Sequence, residues 1–167
     1  MSLPMRCCLL VLLSAGVLLG CAGDPPIDDI PAPPQAYDAH RFDDMKAGLL
    51  RSYLQLQDAL AHDEFAAAQQ AAMTLAKSSA ADLEGLAQTA ADAADITAMR
   101  SAFRPLSEAI IAADLPADLG IAYCSMAFDY EGARWVQTEG DVSNPYYGAT
   151  MLRCGAFEEE DGATDDS

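Results

Sequence analysis

The sequence predicts an α+β protein, with an antiparallel helical bundle followed by a small β-rich module that contains cysteine and methionine. Residues 38–114 are rich in alanine and leucine, and their larger apolar side chains recur every three or four positions, as amphipathic helices require. Residues 119–157 instead contain the only tryptophan, four of the six tyrosines and five glycines. This change in composition divides a single domain, residues 38–157, into two halves.

Four helices are expected in the first half. Asp63 is predicted to cap the second helix and Asp95 the fourth, because a carboxylate accepts hydrogen bonds from the free N–H groups of a helix start. Pro105 should either kink the fourth helix or open its last segment. The short connections favour antiparallel neighbours. The apolar positions of the first helix are Phe42, Met45, Leu49, Tyr53, Leu56 and Leu60. Those of the other three are Phe65, Ala68, Ala72, Met73 and Leu75, then Leu83, Leu86 and Ala90, then Met99, Phe103, Leu106, Ile110 and Ile111.

The second half is expected to contain two short strands, at 121–123 and 134–136, joined by a turn at 129–132. Residues 144–148, with the sequence Asn-Pro-Tyr-Tyr-Gly, are typical of a turn, and Gly155 is placed to close a helical turn after Met151. A module this small, with so little continuous apolar sequence, needs a stabilising cross-link such as a disulfide or a bound metal.

The first 20 residues are predicted to be a lipoprotein signal peptide. Arg6 precedes an apolar run at 7–19 that is too short to span a membrane as a stable helix. Residues 18–21, Leu-Leu-Gly-Cys, have the pattern of a lipobox, which makes Cys21 the lipidated N-terminus of the mature protein. The alternative is an ordinary secretory signal that leaves Cys21 free. Ala22 after the cysteine favours the outer membrane of a Gram-negative cell, with the domain facing the periplasm.

Two further segments are expected to lie outside the folded domain. Residues 21–37 form an acidic linker in which five of the nine prolines of the chain favour an extended, semi-rigid spacer. Residues 158–167 include six acidic residues and no bulky apolar side chain, and they are predicted to be disordered.

Charge and motifs exclude several classes of function. The formal net charge is −17, with no cluster of Lys and Arg that could neutralise phosphates, so nucleic acid is not an expected partner. Anionic lipid headgroups would be repelled, and membrane attachment should therefore depend on the acyl chains. His40 and His62 are isolated, and no paired carboxylates, nucleophile–base set or phosphate-binding glycine loop is present. We therefore predict that the protein is not an enzyme.

Two sulfur-containing couples are the strongest functional signal in the chain. Cys124 and Met126 form a C-x-M pair, and Met151 and Cys154 form an M-x-x-C pair. Thiolate and thioether ligands together select soft cations such as Cu(I) or Ag(I), because a thioether is a poor ligand for harder ions. In an exported protein the two thiols would by default oxidise to a disulfide. From the residues alone, a metal site and a disulfide both remain open.

These segments also resemble a known family. The residues that carry the resemblance are 122–128 (AYCSMAF), 132–135 (GARW), 144–148 (NPYYG) and 151–155 (MLRCG), with 53–60 and 103–107 similar to its helical part. The family is an uncharacterised domain of bacterial lipoproteins that also occurs fused to periplasmic adaptor subunits of copper/silver RND-type efflux pumps. The resemblance implies heavy-metal handling, with ligands at Cys124, Met126, Met151 and Cys154. Ser125 departs from it, since the family usually has proline there.

The predicted function is that of a periplasmic, lipid-anchored protein that binds Cu(I) or Ag(I) and buffers the metal or hands it to an efflux complex. Tyr123, Trp135 and Asn144 are the candidate neighbours of the metal, although a lone tryptophan is more often a core residue. The alternative is a structural or protein-interaction lipoprotein in which Cys124 and Cys154 form a disulfide and no metal binds.

Overall fold

The computed structural model of the chain describes residues 36–159. Four helices are followed by a small antiparallel three-stranded sheet, which confirms the predicted α+β class. Within residues 36–159, no helix combines the length and the apolarity needed to cross a membrane. The predicted signal peptide (1–20), nearly all of the linker (21–37) and most of the acidic tail (158–167) lie outside the described residues, and so does Cys21.

The four helices are α1 (Leu49–Ala61), α2 (Phe65–Ser78), α3 (Ala81–Ala91) and α4 (Ile96–Ile111). The first helix starts later than predicted, because Phe42 and Met45 lie in hydrogen-bonded turns and Gly48, with φ 153°, precedes the first turn of α1. Phe42 is nevertheless buried against the core. The apolar spacing therefore predicted the burial of Phe42 correctly, but the helix that it predicted at Phe42 and Met45 is not formed.

The two predicted caps have different outcomes. Asp95 does cap α4, because its carboxylate accepts a hydrogen bond of 2.8 Å from the backbone N–H of Ala98. Asp63 does not cap α2: its own backbone is left-handed, with φ 62°, and its carboxylate points to other partners described below. Pro105 lies inside α4, which continues through it from Ile96 to Ile111.

The sheet has the strand order β2-β1-β3, with β1 at Leu119–Cys124, β2 at Ala133–Thr138 and β3 at Ala156–Phe157. The first two strands extend the predicted ones by one or two residues at each end. They pair in antiparallel register from Leu119 opposite Thr138 to Cys124 opposite Ala133. The short strand β3 was not predicted. It pairs with β1 through Ala122 opposite Phe157 and Tyr123 opposite Ala156.

Helices and sheet share one hydrophobic core. The side chain of Tyr53 in α1 stacks on Phe103 in α4 with a centroid distance of 5.4 Å, and Phe103 contacts Tyr146 at 5.8 Å. Tyr146 in turn meets the edge of Trp135 in β2 at 5.9 Å. Trp135 is fully buried, and the apolar residues of both halves form a single cluster. The Cys/Met module is thus packed on the helices rather than attached as a separate unit.

Candidate functional site

The pairing of β1 with β3 brings the two cysteines together. The register of these strands, continued by one residue, places Cys124 at the end of β1 opposite Gly155, so that Cys154 is its close neighbour. The Sγ atoms of Cys124 and Cys154 are 3.1 Å apart. This separation is about 1 Å longer than a disulfide bond, and both residues are free thiols. Cys124 is buried, whereas Cys154 is half-buried and reaches the surface.

Met126 adds a third sulfur to this pair. Its Sδ atom lies 3.9 Å from the Sγ atom of Cys154, in the position of a weak hydrogen-bond acceptor for that thiol. Met126 follows Cys124 by two residues, so the turn after β1 returns its side chain towards the cysteines. We refer to Cys124, Met126 and Cys154 as the sulfur cluster.

Met151, the fourth predicted ligand, is placed differently. It ends the 3₁₀ helix Gly148–Met151, and its carbonyl oxygen accepts a hydrogen bond of 3.0 Å from the backbone N–H of Cys154. In the described part of the chain, the Met151 thioether makes no hydrogen-bond-range contact with either thiol. The backbone therefore connects Met151 directly to the sulfur cluster, while its own sulfur lies outside it.

The contact between the thiols affects the ionisation of Cys154. The hydrogen bond with Cys124, together with partial burial and the charge of a Cys124 thiolate, raises the pKa of Cys154 to about 11. Two adjacent thiolates repel each other, and a cation bound between them would remove that repulsion.

Asn144 holds the segment that carries Cys154. Its fully buried side chain donates a hydrogen bond of 2.7 Å from Nδ2 to the carbonyl oxygen of Cys154. Its Oδ1 atom accepts hydrogen bonds from the backbone N–H groups of Tyr146 and Tyr147, at 2.8 and 3.3 Å. Its own N–H donates to the carbonyl of Leu152 at 2.8 Å. Asn144, predicted as a neighbour of the metal, thus fixes the backbone of one ligand segment.

Trp135 and Tyr123 were predicted as neighbours as well. The indole of Trp135 lies directly against the chain beside Cys154, since a Cβ atom added to Gly155 would be 2.8 Å from its Cη2 atom. Its Nε1–H donates a hydrogen bond of 2.9 Å to Gln137. Tyr123 has its side chain on the opposite, exposed face of β1 from Cys124, where its ring lies over Gly132. The side chain of Tyr123 is therefore not part of the lining of the sulfur cluster.

Tyr147 is a residue of the site that the sequence did not single out. Its hydroxyl donates a hydrogen bond of 2.6 Å to the carbonyl oxygen of Met126. Burial, followed by the proximity of Cys124 and Cys154, raises the pKa of this phenol. The only signal in the sequence was the second tyrosine of the Asn-Pro-Tyr-Tyr-Gly segment, which predicted a turn and nothing about its side chain.

The backbone between the sulfur cluster and β2 is unusual. Phe128, Asp129 and Tyr130 all have left-handed φ values, of 53°, 55° and 71°. Successive left-handed residues with side chains are unfavourable, and such a conformation persists only where its surroundings enforce it. Here the guanidinium of Arg104 lies over the Phe128 ring at 4.8 Å, and it also pairs with Glu131 at 2.7 Å.

The donor set distinguishes the kind of cation that could bind. Among residues 36–159, no group of three or more His, Cys, Asp or Glu side chains is arranged to hold a metal ion. Two thiols and a thioether are instead a soft set, suited to Cu(I) or Ag(I).

Comparison with known proteins gives a match for the helical half of the chain only. No curated protein and no solved structure gives a match. Residues 49–114, which comprise helices α1 to α4, match the model of a domain family described as "Protein of unknown function (DUF3347)".

Proposed function

We propose that the protein is an exported, lipid-anchored binder of Cu(I) or Ag(I), which it holds through the thiolates of Cys124 and Cys154 and the thioether of Met126. Met151, whose backbone is joined to Cys154, is the candidate for a fourth ligand. The observation that carries the proposal is the sulfur cluster itself. Three sulfur atoms from two segments about thirty residues apart approach within 3.1 and 3.9 Å.

The distances in the cluster fit a metal with sulfur ligands. For a metal–sulfur bond of about 2.3 Å, three ligands around one ion are separated by roughly 4.0 Å. The Met126–Cys154 distance of 3.9 Å already has this value, and the two thiols at 3.1 Å need to separate by under 1 Å. Deprotonation of both thiols on metal binding favours this separation, because it replaces their hydrogen bond with two metal bonds.

The position of the cluster suits exchange of the metal. Cys154 is half-buried, so a donor or acceptor protein could reach the metal from that side while Cys124 stays in the core. A site with few, soft ligands exchanges by ligand substitution, as transfer to an efflux complex would require. The family resemblance and the predicted lipobox at Cys21 support this setting for the protein, at a membrane facing the periplasm.

A titration tests the proposal. The mature chain, fully reduced, would be titrated with Cu(I) in competition with a chelator of known affinity, beside a Cys124→Ser/Cys154→Ser variant and with Zn(II) as the comparison cation. We expect one equivalent of Cu(I) to bind the wild type with much higher affinity than the variant, and quenching of Trp135 fluorescence on binding. Equal Cu(I) affinities for the two proteins would contradict the proposal.

The same thiol contact favours one alternative, a structural or protein-interaction lipoprotein with a Cys124–Cys154 disulfide. In that case protein isolated from the periplasm without reductant would have no titratable thiols, and the reduced protein would bind Cu(I) no better than the double serine variant. Reduction would then lower its melting temperature, and Cu(I) would not restore it.

A further inference from the structure

One turn contacts the backbone on both sides of the sulfur cluster. Asn144, at its start, donates to the carbonyl oxygen of Cys154 at 2.7 Å, and Tyr147, near its end, donates to the carbonyl oxygen of Met126 at 2.6 Å. The two carbonyls belong to the two residues whose sulfurs are 3.9 Å apart. The turn at 144–148 therefore bridges the two segments that supply the sulfur atoms.

This turn is itself fixed to the helices. Arg100 in α4 donates from Nε to the carbonyl of Pro145 at 2.8 Å and from Nη2 to the carbonyl of Leu60 at 2.7 Å. Within the turn, the N–H of Gly148 donates to the carbonyl of Asn144 at 3.1 Å. Tyr147 thus projects from a rigid support, and its hydroxyl can determine where the Met126 backbone lies.

The segment that Tyr147 holds has a backbone conformation that depends on its tertiary contacts. Met126 is followed by Ala127 and then by the three left-handed residues 128–130, an arrangement that L-residues adopt only when contacts impose it. Besides the Tyr147 hydroxyl, the Met126 carbonyl accepts only a long backbone hydrogen bond, from Tyr130 at 3.4 Å, among the described residues. Cys124, by contrast, is fixed by its place in β1.

We propose that Tyr147 is a positioning residue of the sulfur cluster: by holding the Met126 carbonyl, it keeps the Met126 thioether within reach of Cys154 and so sets the preference of the site for Cu(I) or Ag(I) over Zn(II). The inference rests on the proposed function. Its chemical basis is that both kinds of cation accept the two thiolates, whereas only the soft monovalent ions gain from a thioether. Loss of the hydroxyl should therefore weaken soft-metal binding selectively.

The test uses Tyr147→Phe, which removes the hydroxyl and keeps the ring. We expect its Cu(I) affinity to fall roughly tenfold, as is usual for residues that orient metal ligands. Its Zn(II) affinity should stay within about twofold, since the thiolates are unchanged. Tyr146→Phe is the matched control, because Tyr146 also donates a hydrogen bond of 2.6 Å to a backbone carbonyl, but that of Arg134 in β2, which is not a residue of the sulfur cluster. It should lower the melting temperature and leave the Cu(I) affinity within about twofold.

A double-mutant cycle separates positioning from a general structural effect. If Tyr147 acts through the Met126 sulfur, Tyr147→Phe should cause no further loss of Cu(I) affinity in a Met126→Leu background. A purely structural role would make the two losses additive, and that result would overturn the inference. If the wild type binds Cu(I) and Tyr147→Phe binds it with equal affinity, the inference is also overturned. A wild type that binds no Cu(I) would instead refute the proposed function, and the inference with it.

A spectroscopic measurement covers the case in which the phenylalanine variant folds less well. In wild-type protein labelled with ¹³C at the methionine methyl groups, addition of Ag(I) should shift the Met126 resonance. In Tyr147→Phe, at a temperature where circular dichroism shows it to be folded, the shift should be markedly smaller at saturation. An undiminished Met126 shift would overturn the inference.

Discussion

Arg100 in α4 and Asp63 in the α1–α2 connection form an ion pair of 2.5 Å within the helical half, and both side chains also bond to the backbone of the Cys/Met module. The second carboxylate oxygen of Asp63 accepts a hydrogen bond of 2.9 Å from the backbone N–H of Ala149, in the 3₁₀ helix that leads to Met151. The backbone of Gly148 packs directly against this ion pair, since a Cβ atom on Gly148 would lie 2.2 Å from atoms of both side chains. A residue that the sequence predicted to be a helix cap therefore serves as a link between the two halves.

The first prediction concerns this link and pH. Partial burial acts to raise the pKa of Asp63, but the hydrogen bonds from Arg100 and Ala149 outweigh it, and the pKa lies below its ordinary value of 3.8. A lowered pKa means that the carboxylate stabilises the fold above pH 3.8 and that this contribution is lost as the pH falls through the lowered value. Because the side chain is 42% exposed, solvent screening keeps the contribution small, at about 0.5–1 kcal/mol.

Asp63→Asn tests this, since asparagine tolerates the left-handed backbone. Urea unfolding at pH 7 should show the variant to be less stable than the wild type, and the difference should shrink towards pH 3 and below. Asp44→Asn is the control, because Asp44 is an exposed carboxylate in the turn before α1. A difference that grows on acidification would contradict the assignment.

The second prediction concerns Gly155. Gly155 has a φ of 135°, and a Cβ atom added to it would lie 2.8 Å from Trp135 Cη2 and 2.9 Å from the Tyr123 carbonyl oxygen. Gly155→Ala should therefore be strongly destabilising. Gly140→Ala is the matched control, because Gly140 also has a positive φ, 119°, but no atom within 4 Å of the added carbon. Backbone strain should cost each variant about 1–3 kcal/mol. The steric contact should add about 1–3 kcal/mol to Gly155→Ala alone, measured by chemical denaturation.

The third prediction concerns the contact of helix and sheet at Tyr53. Its buried hydroxyl lies 2.6 Å from Ser107 Oγ and accepts a hydrogen bond of 3.0 Å from the backbone N–H of Val136. Because β2 is an edge strand, the Val136 N–H donates to the Tyr53 hydroxyl of α1 and not to the carbonyl of a neighbouring strand. Tyr53→Phe leaves it buried and unsatisfied, which should cost about 1–3 kcal/mol and speed hydrogen exchange at Val136.

Tyr130→Phe is the comparison for this third prediction, because its ring is 77% exposed. Its effect on stability should stay within about 0.5 kcal/mol. If the two tyrosine variants unfold at the same denaturant concentration, the Tyr53 hydroxyl does not stabilise the contact between α1 and β2.

Local sequence was sufficient for the elements that depend on local interactions. The helices follow from apolar spacing, and the Asp95 cap needs only the free N–H groups three residues away. Strand β3 and the left-handed residues 128–130 depend on partners more than ten residues distant, such as Ala122 and Arg104, and had no local signal. The outcome at Asp63 has the same cause, because its carboxylate gains more from Arg100 and Ala149 than from capping α2.

The candidate site also combines features that local sequence predicts with features that depend on distant residues. The spacing C-x-M is short enough for one turn after β1 to bring the Met126 sulfur back to Cys154, and the two cysteines are brought together by strand pairing. The 3₁₀ helix Gly148–Met151, which carries Met151, is held by the hydrogen bond from Ala149 to Asp63, a contact over 86 residues that no local pattern encodes. Tyr147 was missed for a related reason, since its partner carbonyl is 21 residues away.

The fourth prediction concerns the anchor and rests on the lipobox at residues 18–21. The thiol of Cys21 would be the acyl acceptor, so Cys21→Ser should move the protein from the membrane fraction to the soluble periplasmic fraction. Cys8→Ser, within the predicted signal peptide, should leave the protein in the membrane fraction. A wild type already in the soluble fraction would favour the ordinary secretory signal, and retention of the Cys21 variant in the membrane fraction would contradict anchoring through Cys21.

The fifth prediction compares the two methionines. Met126→Leu and Met151→Leu nearly conserve volume and apolarity, so each should change the stability of the metal-free protein by less than about 1.5 kcal/mol. Their effects on Cu(I) affinity should differ, because the Met126 sulfur lies 3.9 Å from Cys154 and the Met151 sulfur is outside this contact. In competition with a chelator, Met126→Leu should lose roughly tenfold or more in affinity, and Met151→Leu distinctly less.

The Met126→Leu/Met151→Leu double variant tests whether Met151 is a ligand in addition to Met126. If Met151 closes on the metal as a fourth ligand, the loss in the double variant should exceed that of Met126→Leu, and X-ray absorption should count one sulfur fewer in the Met151→Leu complex. If the double variant and Met126→Leu bind alike, Cu(I) is held by Cys124, Cys154 and Met126 alone. A double variant that binds Cu(I) as tightly as the wild type would exclude both thioethers as ligands, and the two thiolates alone would then hold the metal.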